Sequence, residues 1–276
     1  RLAAVLRDLG IPHPRTFPMT SGDGLREIED GFFEHSFLKP RDSQHFQRQF
    51  GVKAFLCRSR GEVAAGLDRI RGAGLDAVLQ DYIPGPPTAH HFIDGFVDRT
   101  GRTCARFARR RERMYPPDFG NSTLTVSEPL SEVAPAVAIL DRLLATLDYR
   151  GVFSAEFKHD ERDGQFKLLE VNCRHWWYVE FAAACGVDVS LMSYRDALGL
   201  PVEPIEEYAV GKRCVYPYFD RYSCWEMLRA GQLSPWAWAR SWIGAEQPIY
   251  SRDDPWPAVA DLRALTRRFL RTRLQS

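Results

Sequence analysis

The stretch GVFSAEFKHDERDGQFKLLEVNCR, residues 151–174, decides how this chain is read. Apolar residues alternate in VFSAEF and in FKLLEV, the period of two expected of half-buried strands, and Asp160-Glu161-Arg162-Asp163-Gly164 supplies the turn between them. Each strand carries a carboxylate inside its apolar run, Glu156 in the first and Glu170 in the second. Asn172 and Arg174 follow Glu170 at spacings of two and therefore share its face. Two carboxylates and an amide oxygen form a hard-oxygen set suited to Mg²⁺ holding the phosphates of a nucleotide. The plainer alternative is a solvated cross-strand pair, but like charges on neighbouring strands repel. Burying both without a cation is costly or forces one to protonate. Phe153, Ala155, Leu168 and Val171 read as buried flanks, which favours the metal provided the two acids face each other.

At 276 residues the chain can build one large core or two smaller ones. A formal net charge of +1 exerts no global pull toward nucleic acid or a membrane surface. No apolar run reaches the ~20 residues of a membrane span. Six cysteines are scattered without CxxC spacing, which points to reduced thiols and a cytoplasmic location rather than zinc or disulfides. Cys173, turned by alternation away from the carboxylates, is expected to pack.

Residues 1–9 read as an amphipathic helix stopped by Gly10. Because the chain begins inside this helix, an upstream segment is expected, with the apolar face built against it. Residues 24–30 suggest a short helix, FEHSFLKP a strand, RDSQHFQRQFG a polar loop, VKAFLC (52–57) a strand and residues 60–72 a helix. Strand AVLQDYI then stops at the breaker Pro84-Gly85-Pro86-Pro87. Residues 36–86 thus form a small α+β unit ending in a hinge, preceded by a remnant of another region, 1–35. The second unit, 87–200, holds the strands HHFIDGFVD, RTCARFARRRERMYP and STLTVSEP, then a helix at 131–148. The two-acid hairpin follows, with helices at 177–185 and 188–198, so the expected sheet is mixed or antiparallel and covered on one side. Five of the seven Trp fall within 201–276, read as a helical appendix packing aromatic side chains onto the body. An interfacial membrane helix is disfavoured there because the Trp do not keep one helical face.

Lys39 ends an apolar strand beside a polar loop, and Lys53 begins the next strand; both could clamp phosphates as point charges. Lys158 and Lys167 read as solvated surface charges. Gln80-Asp81-Tyr82-Ile83 ends a strand at the hinge, where side-chain and backbone groups could meet the edge of an adenine. In Arg109-Arg110-Arg111-Glu112-Arg113, alternation puts Arg109, Arg111 and Arg113 on one face. That stripe suits phosphates or a carboxylate substrate, and the near-zero net charge weighs against nucleic acid. Neither GxxxxGK[ST] nor GxGxxG occurs.

Taken in order, FLKP, a strand with Lys53, LQDYIPG, AEFK and LLEVNCR resemble the ATP-grasp superfamily of carboxylate–amine ligases over roughly residues 1–200. The likeness is greatest to the carbamoyl-phosphate-synthase-like branch. The resemblance implies an α+β fold whose two subdomains clamp ATP. It further implies Lys39 and Lys53 on the phosphates, Gln80, Asp81 and Ile83 at the adenine, and Glu156, Glu170 and Asn172 on Mg²⁺. Arg174 would steady an acyl phosphate, with Arg109 as a second catalytic cation. A small-molecule carboxylate would attack the γ-phosphate and an amine would then displace phosphate, with neither nucleic acid nor membrane as partner. The chain departs from the family pattern in its glycine-poor lid segment and in Gln80, where an acid is usual. The family's preceding domain is expected in the segment upstream of residue 1. Two other readings compete: a metal-dependent nucleic-acid enzyme using the Arg stripe, and a catalytically silent nucleotide-binding domain that offers its Trp-rich tail to a partner.

Overall fold

The computed structural model describes residues 2–19, 22–251 and 253–274. Helix α1 (Leu2–Asp8) leads into strand β1 (Thr16–Pro18), a 3₁₀ turn at Gly22–Leu25 and helix α2 (Asp30–Phe33). Strand β2 (Ser36–Pro40), helix α3 (Ser43–Phe50), strand β3 (Phe55–Cys57), helix α4 (Arg60–Gly72) and strand β4 (Ala77–Asp81) follow. The four strands form an antiparallel sheet in the order β1-β4-β2-β3. Val63, Leu67 and Ile70 of α4 pack on that sheet with Leu38, Phe46 and Leu79. Gly66 lets the helix come this close, because a Cβ there would lie 2.7 Å from Leu38 Cδ1.

RDSQHFQRQFG, expected as a loop, is helical at Ser43–Phe50. Its start is fixed by Asp42, whose Oδ1 accepts from the His45 amide at 2.9 Å. Phe46 anchors it in the core, and Gly51 at φ 73° ends it by returning its amide to the Gln47 carbonyl. Strand β3 is accordingly shorter than expected, and Lys53 lies ahead of it rather than in it.

The larger layer comprises β5 (His90–Val97), β6 (Thr103–Tyr115), β7 (Asn121–Glu128), helix α5 (Ala134–Thr146), β8 (Gly151–Asp160) and β9 (Gln165–Asn172). Helices α6 (Val179–Ala184) and α7 (Val189–Ala197), strand β10 (Arg213–Val215), and helices α8 (Pro217–Arg229), α9 (Pro235–Trp242) and α10 (Trp256–Leu274) complete it. Six antiparallel strands run in the order β10-β7-β6-β5-β8-β9. One face is sealed by α5, where Leu140, Leu143 and Leu144 meet Ile93, Phe153, Ala155 and Phe157. Leu6 of α1 is buried in this same core, so its apolar face packs within the chain rather than against the expected upstream segment. On the opposite face α6 and α7 cover one end, around Phe96 and Phe107, and the other end faces the small sheet.

The sheets cross the boundaries expected at 36 and 200. Strand β1 belongs to the small sheet and β10 to the large one. Helix α8 is pinned to β6 by a buried ion pair, Arg113 to Asp220 at 2.7 Å. Trp242 joins it, its Nε1 donating to Asp220 at 2.6 Å, while Trp225, Trp236 and Trp256 stay more than half exposed. The appendix therefore packs only part of its Trp set onto the body.

Candidate active site

Parity along β8 sends Phe153, Ala155 and Phe157 into the core and turns Ser154, Glu156 and Lys158 to the opposite face. In the β8–β9 register Glu156 lies opposite Glu170 and Ser154 opposite Asn172. The two acids therefore do face each other, the condition on which the metal reading rested. A bulge follows at once, since Phe157 pairs with Leu168 and leaves Leu169 as the extra residue.

A cavity of about 570 Å³ opens between the sheets. Its walls include Lys39, Lys53, Gln80, Asp81, Ile83, Glu156, Glu170, Asn172 and Arg174. These come from β2, β4 with the hinge after it, and the segment before β3 on one side, and from β8, β9 and the following turn on the other. Of the ten residues singled out in the sequence, Arg109 is the one not in this wall.

Glu156 accepts from His90 Nδ1 at 2.7 Å and from Arg111 Nη2 at 3.1 Å. Burial pushes its carboxyl upward, but Arg111 and the His90 hydrogen bond override that and take it down to about 2. His90 is pulled down to about 4, chiefly by burial against the opposing effect of Glu156. At neutral pH a neutral imidazole thus donates to an ionised carboxylate. Asn172 donates from Nδ2 to Glu170 Oε1 at 2.8 Å, which leaves its own Oδ1 as an acceptor. Among the described residues no three His, Cys, Asp or Glu side chains gather into a complete metal cage. Two carboxylates and one amide oxygen are instead a partial donor set. That suits Mg²⁺, which keeps waters and takes phosphate oxygens as its other ligands.

Lys53 donates to Asn121 Oδ1 at 2.8 Å, bridging from the small sheet to β7; burial and then Arg111 lower its pKa. Gln80 turns toward β1, its Nε2 donating to Thr16 Oγ1 at 2.8 Å. Asp81 is paired with Arg162 at 3.0 Å, a link between the two sheets at the hinge. Tyr82 donates to Asp118 Oδ1 at 2.8 Å, and Phe37 lies 4.9 Å from Phe119, so the turn after β6 also reaches the small sheet.

The Arg stripe keeps the expected parity but is buried, with Arg109, Arg111 and Arg113 each at most 5% exposed. Arg109 is held by Asp94 at 2.7 Å beneath the ring of Phe92, away from the cavity that its expected catalytic role requires. One step along the strand, Arg111 is the member that reaches the site. The stripe itself is therefore not an exposed cationic face.

Lys158, expected as a solvated charge, is 4% exposed and lines the cavity. Its spacing of two from Glu156 puts it on the same face of β8. Lys167 is also drawn in, pairing with Asp163 and, at 3.8 Å, with Asp160. Cys173, expected to pack, is exposed.

Burial, and then Arg111, pull Lys158 from 10.5 down to about 8. Between those values the unfolded chain binds the extra proton, so wild-type stability rises with pH. Lys158→Met is expected to be more stable than wild type by on the order of 2 kcal/mol below pH 8. That advantage should shrink as pH rises to 10.5, as urea unfolding at pH 7 and pH 10 would check.

No family model matches the chain. It is 27% identical over 202 residues to the D-aspartate ligase of Enterococcus faecium (strain Aus0004), an alignment covering 70% of this chain and 47% of the relative. Among solved structures, N5-carboxyaminoimidazole synthetase from Staphylococcus aureus superposes at TM-score 0.57 with 12% identity, over 76% of this chain and 52% of that one. Carboxyaminoimidazole ribonucleotide synthase from Aspergillus clavatus, complexed with ATP, reaches 0.60 at 14% identity over 76% and 53%. The biotin carboxylase domain of Hydrogenobacter thermophilus 2-oxoglutarate carboxylase, complexed with MgADP, ADP and bicarbonate, reaches 0.61 at 16% identity over 76% and 47%. The chain spans about half the length of these relatives. Among the described residues no helix is long and apolar enough to cross a membrane. Two antiparallel sheets facing each other across a cleft, with the hinge and the two-acid hairpin at its edges, give this chain the ATP-grasp fold.

Proposed function

We propose that the cleft binds a Mg²⁺–ATP complex and uses it to activate a small-molecule carboxylate as an acyl phosphate, from which an amine displaces phosphate. One observation carries this reading. Glu156 and Glu170 stand opposite each other across a strand pair, and Lys39, Lys53 and Arg174 share their cavity.

Lys39 and Lys53 are the cations that bind phosphate oxygens, and Asn121 fixes the second of them. Arg111 and His90 keep Glu156 ionised in a buried position. Glu156, Glu170 and Asn172 would hold Mg²⁺, which neutralises charge on the transferring phosphoryl group when bound. Arg174, exposed at the end of the strand, positions the anion of the carboxylate or acyl phosphate. No side-chain nucleophile takes part, because the substrate carboxylate attacks the γ-phosphate directly. The nucleic-acid alternative loses its footing because the cationic stripe it needs is buried.

The test is ADP release by the protein with ATP, Mg²⁺ and pools of carboxylates and amines. Release is expected to require a carboxylate and to rise on adding the amine that accepts it. ATP binding with no ADP release under any pairing would instead favour the silent nucleotide-binding domain.

A further inference from the structure

The Trp residues of the C-terminal region keep no common helical face, because α8, α9 and α10 share them. Helix α10 has an apolar face of its own. Ala258, Leu262 and Leu265 recur at spacings of four and three along its 19 residues. Such a face ordinarily lies in a core, since packing rather than propensity supplies most of a helix's stability. Here that packing is missing. From Trp256 to Arg267 no side chain of α10 is buried, and Trp256 and Leu262 are 69% and 59% exposed. Among the described residues its one side-chain hydrogen bond to the body is Asp261 accepting from Tyr216 at 2.7 Å.

Charge complementarity identifies what covers this face. The sequence of α10 holds five arginines, and Asp261 is its single acid. The bond to Tyr216 turns Asp261 toward the body. Arg263 and Arg267, one helical turn apart, are exposed on the side that adjoins Leu262 and Trp256. A second copy laid on this side would bring like charges together, and a nucleic acid would leave the apolar residues in water. An anionic bilayer accommodates both sets. Leucine and Trp side chains enter the headgroup boundary, while guanidinium groups on flexible stems reach lipid phosphates. We propose that α10 docks the protein on anionic phospholipid membranes, lying in the plane of the interface. It does not cross the bilayer, being neither long enough in apolar residues nor free of charge. This assignment is independent of the nucleotide reading of the cleft, and either can fail without the other.

Co-sedimentation of the protein with vesicles tests this, using phosphatidylcholine alone and phosphatidylcholine mixed with phosphatidylglycerol. Affinity for the mixed vesicles is expected to be roughly 10-fold or more the higher, because each basic residue near an anionic surface adds to binding. It should fall between about 0.1 M and about 1 M salt, as the Debye length drops from about 10 Å to about 3 Å. Arg263→Glu combined with Arg267→Glu should remove that roughly 10-fold preference. Leu262→Glu should weaken binding at both salt concentrations, whereas Leu191→Glu, at a comparably exposed position on α7, should leave it unchanged. Every substituted position is exposed, so urea unfolding of the variants should match the wild type. Equal binding to the two vesicle types, or none to either, would overturn the inference. So would an equal loss in Leu191→Glu, which would leave α10 no particular part. A dimer that forms without vesicles and is lost in Leu262→Glu would assign the face to a second copy instead. Duplex DNA or RNA bound more tightly than the mixed vesicles would assign it to nucleic acid.

Discussion

Glu170→Gln is expected to lower Mg²⁺-dependent ADP release by about 10²–10³-fold or more while leaving the fold in place, because on the proposed function it removes one of the two carboxylates that would hold the metal. Glu170 is half-buried, and its one side-chain partner is Asn172, a hydrogen bond whose net contribution to stability is about 1 kcal/mol. An amide keeps the shape and can still accept that bond, so unfolding free energy should change by less than about 1 kcal/mol. Glu156 behaves differently. Its carboxylate compensates Arg111, which is itself buried, so Glu156→Gln should cost about 3–5 kcal/mol of stability as well as activity. Steady-state ADP release and denaturant unfolding on the two variants separate these outcomes. Equal loss of stability in both would mean that Glu170 is a structural acid rather than a ligand.

The second large effect lies outside the cleft, at the join between the sheet and the C-terminal helices. Asp220 is fully buried and accepts from Arg113 Nε at 2.8 Å and Nη2 at 2.7 Å, from Thr123 at 2.7 Å and from Trp242 at 2.6 Å. Burial favours its neutral form, yet Arg113 and these hydrogen bonds hold it below the usual carboxylate range. Arg113→Met strands that charge in the interior and should cost about 3–5 kcal/mol, releasing α8 and α9 from β6 and β7. Arg113→Met combined with Asp220→Leu removes both charges and should recover much of the loss. If the single variant cost under about 1 kcal/mol, water would have to reach the pair and the join would be looser than its burial implies.

The hairpin at 151–174 was legible because two independent signals agreed there. Alternation fixed which residues faced the cleft, and polar residues in an apolar run marked them as unusual. What alternation could not fix was the cross-strand register, and the structure places Glu156 opposite Glu170. Arg174 was found by the same alternation and Lys39 by its place at a strand end beside a polar segment, and both line the cavity. Helix α3 was hidden because its apolar content is small. Its formation depends on the Asp42 cap and on Phe46 meeting Phe50 and Phe55, contacts that exist once the sheet is built. Strand β10 is three residues long and is specified by the open edge of β7, not by its own pattern. The choice among Arg109, Arg111 and Arg113 was equally out of reach. Parity treats the three alike, and their separation depends on which carboxylate each meets: Asp94, Glu156 and Asp220.

The central claim is carboxylate activation through an acyl phosphate, and hydroxylamine trapping addresses it most directly. The protein would be incubated with ATP, Mg²⁺, hydroxylamine and pools of candidate carboxylates, and both hydroxamate and nucleotide products measured. The account predicts a hydroxamate formed with one ADP per turnover, dependent on Mg²⁺ and abolished in Glu170→Gln. AMP and pyrophosphate as the nucleotide products, or ADP release that ignores the carboxylate supplied, would contradict it.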